Sequence, residues 1–464
     1  MGKIKGSIKI LTDNEIEKIH RGTLKILKNT GIKVPNDYAL ECCEKIGGQT
    51  DKKTKLLRIA PCLMDDVLKK AKKSSSFKKE ARKNLAGHIS TSVFYIDYIN
   101  KTRRYGKTDD VLNGIKLVEH LPNIKEANAL VVPSDIKKNL TDVWSYRMIY
   151  NYSTKPGSTY ILSAAGAKYI AEMSEVMGLG TPYPLETVSP LQFSEESLNI
   201  AVVLAKSGQK IHMGPMVIGG ASGPVSIAGT LTLQNAEALA SLFVIYALTN
   251  EFSDYITPGH TMDLNTMICS FGSPNQSLLG IGAAQLGRFY GLSPLSNAGL
   301  TDSIMPDFQA GFEKGANAIF SCLAGCNEIG CQGISGADQG NSLEQLVIDN
   351  EWLDFYNYIL QGFDINEELM AVDLIERIGI GGNFMAEEHT VKHMRENYWS
   401  SNIFARSNWG SWKANDVKDT LDNAHKFVCS VLAEEGSMQP KIDKEKFDEI
   451  NNIYKIAEKD LLDK

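Results

Sequence analysis

The sequence predicts an α/β fold: a (β/α)8 TIM barrel with a small N-terminal α+β appendage and a helical C-terminal tail. Three observations lead there. From about residue 108 onward, short apolar segments alternate with helical patterns for some 250 residues, the rhythm of parallel strands with helices packed outside. The apolar segments run into polar, Gly-rich loops, and in a barrel the chemistry sits on the loops that follow strands. No GxGxxG stands at a strand–helix junction, which leaves an open doubly wound sheet as the weaker alternative. The expected divisions are an appendage over 1–107, a barrel over 108–395 and a tail over 396–464.

The appendage comes first. Thr12, with Glu15 three positions on, makes a capping box. The helix that follows carries Ile16, Ile19, Leu24 and Ile26 and stops near Gly31. A second helix over 37–46 ends at Gly47-Gly48. Residues 56–60 read as a strand, and Pro61 suits the first turn of a helix over 62–71. Residues 89–105 read as two strands about a turn at Asn100-Lys101. Barrel strands are expected at 129–133, 159–163, 185–190, 210–218, 254–258, 293–298 and 327–333. The helices between and after them are expected at 136–152, 166–178, 194–207, 229–250, 274–290, 306–324 and 341–361. The eighth strand is expected at 383–386 or from the 89–105 hairpin. Trp399, Trp409 and Trp412 gather in the tail and are expected to pack it on the barrel or on a neighbouring subunit, so a homo-oligomer is expected.

Composition narrows the function classes. A chain of 464 residues with 43% hydrophobic and 22% charged residues is an ordinary globular protein with a large core. A net charge of -6 argues against nucleic acid as a partner. Lys69, Lys70, Lys72, Lys73, Lys78 and Lys79 read as a solvated face. The start lacks the apolar run of a signal peptide, and no segment approaches the roughly 20 apolar residues of a membrane span. A cytoplasmic protein is expected, with no membrane partner. The 8 cysteines are scattered, some in apolar patterns as at Cys42, Cys43 and Cys429, which fits reduced thiols.

The strand list becomes a list of candidate residues. After the 210–218 strand come Met216, Gly219, Gly220 and Ser222, with His212 inside the strand. After 254–258 come His260, Asp263 and Asn265; after 293–298 come Asn297, Thr301 and Asp302. After 327–333 comes QGISGADQGN, with Gln332 and Asp338. Plainer roles compete. His260 could cap a helix, Asp302 could be an N-cap, and Glu344 and Asp349 could be solvated helix positions. Cys322 and Cys326 fall on an alanine- and glycine-rich helix, where a small buried thiol is the usual occupant. His389 and His393 stand four apart, but Thr390 occupies the place where HExxH needs Glu; no metal is expected. No GxSxG elbow is present.

Five motifs, in order along the chain, resemble the trimethylamine methyltransferase family: GPMVIGGASGPVSIAGTLTLQNAEALA (214–240), SFGSPNQSLLGIGAAQLGRFYGL (270–292), GLTDSIMPDFQAGFEKG (299–315), EQLVIDNE (344–351) and GIGGNFMAEEHTVKH (379–393). The resemblance covers most of residues 10–400. It implies a (β/α)8 barrel that moves a methyl group from a methylated amine to the Co(I) centre of a corrinoid on a separate small protein, cob(I)alamin becoming methylcob(III)alamin. It implies that this chain binds no cofactor tightly; the DxHxxG signature for holding one is absent. Archaeal trimethylamine enzymes of the family carry pyrrolysine near the end of a barrel strand, whereas this chain has standard residues such as Gln332, Gly333 and Ile334 there. Relatives without pyrrolysine are associated with quaternary amines: glycine betaine, proline betaine and carnitine-type compounds.

That substitution has a chemical logic. A quaternary nitrogen is already cationic and leaves as a neutral tertiary amine, so no covalent or general-acid residue is expected. The protein must bind the cation, exclude water and aim one methyl. Quaternary ammonium offers no N–H and is recognised by aromatic faces, for which Phe94, Tyr95, Tyr98, Phe271, Phe308, Phe355 and Tyr356 are available. A betaine carboxylate needs donors, for which His212, His260, Asn265, Asn297, Gln332 and His389 are available; Asp302 or Glu344 could balance the ammonium. The expected substrate-binding set is Tyr95, His212, His260, Asn297, Asp302, Gln332, Glu344, Phe355 and His389. The alternatives are a non-catalytic betaine-binding or corrinoid-protein docking subunit, and a methyltransferase for a tertiary amine.

Overall fold

The computed structural model describes residues 8–74, 85–256, 259–326, 328–401, 403–414, 418–434, 436 and 439–462. Lys78, Lys79 and the expected strand residues 257, 258 and 327 lie outside them.

The capping box forms as its sequence dictates. Thr12 Oγ1 accepts from the Glu15 N–H at 3.3 Å, and Glu15 Oε2 accepts from the Thr12 N–H at 2.8 Å. The helix Asp13–Asn29 then runs to Gly31, where φ is +77° and an added Cβ would lie 2.4 Å from Leu57 O; only glycine fits. Strands Ile32–Lys33, Gln49–Asp51 and Leu56–Arg58 make a small antiparallel sheet beside the helix Pro61–Ser74. Phe94–Asp97 and Thr102–Tyr105 form the expected hairpin.

The seven expected helices of the central region are present within a few residues: Thr141–Tyr152, Ala164–Met177, Glu195–Lys206, Ile227–Thr249, Pro274–Tyr290, Phe308–Ala324 and Leu343–Gln361. Ile227–Thr249 is long and apolar enough to span a bilayer, contrary to the expectation that no segment comes near. It is a core helix: 72% of its most apolar stretch is buried, and its Gln234, Asn235 and Glu237 are buried with it.

The strands are shorter than expected. Tyr183–Glu186 pairs in parallel with Ile211–Gly214, Tyr255–Ile256 with Pro294–Leu295, and Ala86–Ile89 with Glu328–Gln332. Isolated parallel bridges join Gly87 to Ile124, Ala127 to Gly157 and Ser296 to Ile329. The ladders are separate short sheets rather than one continuous barrel sheet, and 129–133 and 159–163 form no ladder. An isolated parallel bridge joins Ser92 to Val131, and side chains supplement it. Asn128 Nδ2 donates to Ile89 O at 2.9 Å, Thr91 Oγ1 to Ala129 O at 2.7 Å, and Asn341 Nδ2 to Leu130 O at 2.6 Å. Residues 383–386 form no strand and lie in an exposed stretch. The molecule is therefore mixed α/β, with parallel pairing through its centre.

One large apolar cluster joins the N-terminal helices, the central helices and the tail. Of the tail, Thr420–Leu432 packs on Leu343–Gln361, and Lys444–Leu462 on Ala164–Met177. Trp399 Nε1 donates to Asp354 on the helix Leu343–Gln361 at 2.7 Å. Residues 363–398 contain three short helices and no buried residue. Cys42, Cys43, Cys62, Cys269, Cys331 and Cys429 are free thiols.

Candidate active site on the loops after the strands

Loops on this side of the molecule are tied down by polar side chains from neighbouring helices, of which Glu237 and Asp142 are buried. Glu237 accepts from Thr187 Oγ1 at 2.6 Å, Ser189 Oγ at 2.7 Å and the Leu191 N–H at 2.8 Å. Asp142 accepts from the Leu162 N–H at 2.7 Å. Burial pushes both carboxyls above their ordinary range, against the pull of these hydrogen bonds. Glu313 accepts from Thr301 Oγ1 at 2.6 Å and the Asp302 N–H at 2.9 Å.

The strongest anchor holds the QGISGADQGN loop. Lys314 and Asp349, both fully buried, pair at 2.9 Å. Lys314 Nζ also donates to Gly299 O at 2.6 Å and Ile334 O at 2.8 Å. Asp349 accepts from the Gly333 N–H at 2.7 Å, Gln345 Nε2 at 2.7 Å and Trp352 Nε1 at 2.9 Å. Every lone pair and proton of the ion pair is thereby directed, as burial of two charges requires. The supports sit on helices, so the loops are set before any ligand arrives.

These anchors assemble a cluster around His260. Asp302 accepts from Ser270 Oγ at 2.7 Å and from the Phe271 N–H at 2.6 Å. The Phe271 ring lies 4.4 Å from the His260 ring. Phe271, Leu300, Cys331 and Ile334 form a small apolar cluster of their own, separate from the main core. His260 Nδ1 is 2.7 Å from Gln276 Oε1, while its buried Nε2 has no partner. Burial brings the imidazole down to about 4, so it is neutral at pH 7. With Gln276 Oε1 accepting, Nδ1 carries the proton and Nε2 presents a lone pair. Asp338 stands beside Cys269 and Cys331, and burial raises it to about 6. Surrounding protein desolvates Asp338 and Glu186, yet both side chains reach water.

A cavity of about 440 Å³ lies at the other end of the strands. Lys125, Pro182, Lys210 and Asp254 stand at the strand starts around it, and His88, His212, Asn297 and Glu328 line it too. His88 bridges Glu328 at 2.7 Å and Glu126 at 3.4 Å. Burial opposes its charge, but the two carboxylates prevail and raise it to about 9. His212 keeps a buried, unpartnered Nδ1, and burial lowers it to about 4. The anchored loops, rather than this cavity, carry the convergent chemistry. The cavity's upper wall reaches them: Ser90 Oγ is 3.3 Å from Cys331 Sγ.

The expected site residues therefore separate. His260 and Asp302 come together. His212 and Asn297 share the strand-start cavity instead. Gln332 is fully buried between them, its Nε2 3.0 Å from Ile329 O and its Oε1 without a partner. Glu344 is 3% exposed, not solvated, and faces His425 of the tail at 2.8 Å. Tyr95, on the hairpin strand Phe94–Asp97, lies near it and under Arg104. Phe355 packs against Trp399 on an outer helix, and His389 sits on the exposed 363–398 segment, 3.2 Å from Glu368 O. Asp349 is fully buried rather than solvated. Lys314, Glu313, Glu237 and Gln276 were not among the expected residues. Lys314 had a signal: it falls on the stripe Ala310, Asn317, Ala318, Ser321 and Cys322, the buried face of its helix.

The trimethylamine methyltransferase (MTTB) family model matches residues 3–459. Trimethylamine methyltransferase MttB of Desulfitobacterium hafniense (strain DSM 10664 / DCB-2) is 28% identical over 441 residues, covering 91% of this chain and 88% of that protein. Glycine betaine methyltransferase of Desulfitobacterium hafniense (strain Y51) is 28% identical over 479 residues, covering 96% of each. Among solved structures, the Methanosarcina barkeri monomethylamine methyltransferase MtmB shares the fold, with a TM-score of 0.51 at 13% identity over 99% of this chain and 89% of that one. Anchored loops around a neutral histidine and a near-full-length family match agree: the chain belongs to the trimethylamine methyltransferase family.

Proposed function

We propose that this protein transfers a methyl group from a quaternary amine of the glycine betaine type to the corrinoid of a separate protein. The observation that carries the reading is the QGISGADQGN stretch, anchored by Lys314 and Asp349 and built of standard residues only. Glycine betaine methyltransferase and trimethylamine methyltransferase MttB are equally similar to the chain, so identity does not choose between their substrates; the missing pyrrolysine favours the first. The parallel links of 87 with 124, 127 with 157, 183–186 with 211–214, 218–219 with 260–261, 255–256 with 294–295, 296 with 329 and 328–332 with 86–89 follow the order of a (β/α)8 barrel whose first strand is Ala86–Ile89 and support that reading. The appendage would then end before residue 86.

Within this reading the residues divide the work. Phe271 and the apolar cluster around it provide a dry wall for the methylated nitrogen. Asp302 and Asp338 supply negative charge near the cation, and His260 offers a lone pair with no N–H to compete with it. The N–CH3 bond breaks with its electrons on nitrogen, giving a neutral amine, so no side chain has to protonate the leaving group. A partner's Co(I) corrinoid supplies the nucleophile. Val188, Met216, Leu264, Met267 and Ile304, exposed on loops after the strands, give that partner an apolar rim to dock on. Recognition by a non-catalytic betaine-binding subunit is the competing reading.

The test is methylation of cob(I)alamin by purified protein, followed by absorbance, with glycine betaine, proline betaine, carnitine, choline and trimethylamine. Turnover with one quaternary amine and none with trimethylamine is expected, and His260→Ala should depress that turnover. Turnover with trimethylamine alone would overturn the substrate class.

We also infer that the chain self-associates through residues 363–398. Helices of four to seven residues do not hold without packing, and Val372, Ile375, Ile380, Met385 and Val391 are exposed there. Phe308 and Phe312 are equally bare on another helix of the same chain. A corrinoid partner that comes and goes cannot cover such a surface permanently; a second copy can.

A further inference from the structure

We propose that Cys429 is an activated thiol, a site of exchange with small-molecule disulfides, built by His425 and Glu344. The helix Thr420–Leu432 sets His425 and Cys429 four residues apart, on one face. His425 Nε2 lies 3.3 Å from Cys429 Sγ, and His425 Nδ1 lies 2.8 Å from Glu344 Oε1. Glu344 is itself fixed: it is 3% exposed, and its second oxygen accepts from Ser342 Oγ at 2.9 Å. A carboxylate accepting at Nδ1 places the imidazole hydrogen there, so Nε2 presents a lone pair to the thiol. The three groups are thus a nucleophile, a base and the carboxylate that orients the base.

The thiol is exposed, so a disulfide can reach it. Its proton passes to His425 Nε2. The thiolate attacks one sulfur of the disulfide, a Cys429 S–S bond forms, the original S–S bond breaks, and the second sulfur departs as a thiolate that takes up a proton. The disulfide is the only oxidant required. Cys43, Cys322, Cys326 and Cys331 are buried. Cys62 is the other exposed thiol; it lies in the first turn of the helix Pro61–Ser74 and has no histidine contact among the described residues. This inference is independent of the methyl-transfer reading, because its readout is labelling and not turnover.

The experiment treats the full chain with 5,5′-dithiobis(2-nitrobenzoic acid) and with glutathione disulfide, and assigns the modified cysteine by peptide mass spectrometry. Cys429 is expected to be modified by both. In His425→Ala and His425→Gln its rate should fall at least about threefold, the net of losing thiolate and gaining intrinsic nucleophilicity, while Cys62 keeps its rate. Glu344→Gln should also slow Cys429. Cys43 and Cys322 must stay unlabelled, which shows each variant is folded; if Glu344→Gln exposes them, the two His425 variants decide. An unchanged Cys429 rate in both His425 variants, or no modification of Cys429 in the native chain, would overturn the proposal.

Discussion

Removing the Asp349 carboxylate while leaving Lys314 in place would strand an ammonium group where no water reaches it, since both side chains are fully buried. Breaking one side of a buried pair costs about 3–5 kcal/mol. Asp349→Asn is therefore expected to lower the unfolding free energy by that order, read from urea titrations followed by circular dichroism, whereas an exposed pair such as Lys69–Asp66 can be removed with little effect. A variant as stable as the native chain would show that the pair does not hold the loop. Sequence reached the polar loops at this scale but not their supports. His260 and Asp302 could be named because they follow apolar runs. Asp349 looked like a solvated helix position, because nothing local says that Lys314, thirty-five residues away, will be buried opposite it. The charge of Lys314 hid a position that its helical spacing marks as buried.

At the level of elements, the pairing of Ala86–Ile89 with Glu328–Gln332 joins the two ends of the central region. It is reinforced by His88, raised to about 9, and Glu328. Burial works against the Glu328 charge, but His88 and Lys125 prevail and lower it to about 2. The His88 contribution is complete below its ordinary 6.5 and is lost as pH rises through 9. The Glu328 contribution is complete above its ordinary 4.5 and is lost as pH falls through 2. Both are fully present only between pH 4.5 and 6.5. Urea midpoints across pH 5 to 9 should decline toward the alkaline end, and His88→Gln should flatten that decline. An identical slope in the variant would rule out this source. Helices were legible in the sequence because caps and a 3.6-residue period are local. This strand was not, because Gly87 and His88 give no apolar run, and its register depends on a partner over two hundred residues away.

For the whole molecule, the exposed 363–398 segment decides the state of association. Native protein is expected to run as an oligomer by light scattering. Replacing Ile375 and Ile380 by Asp should shift it toward monomer while leaving the helical circular dichroism in place. A native monomer would sink the inference that a second copy covers this surface. The division into strand–helix repeats was visible from the alternation of apolar runs and helical patterns. The bare segment was not: its apolar run at 383–386 was a candidate for the eighth barrel strand, and that stretch is exposed.

The amide of Gly333 follows from the same buried carboxylate and behaves unlike its neighbours in a loop. It donates to Asp349 at 2.7 Å in a site closed to water. In deuterium it should exchange on the timescale of global unfolding, as the amides of core elements do, while amides of 363–398 exchange at once. A flexible-looking, glycine-rich turn would then be one of the last parts of the chain to open.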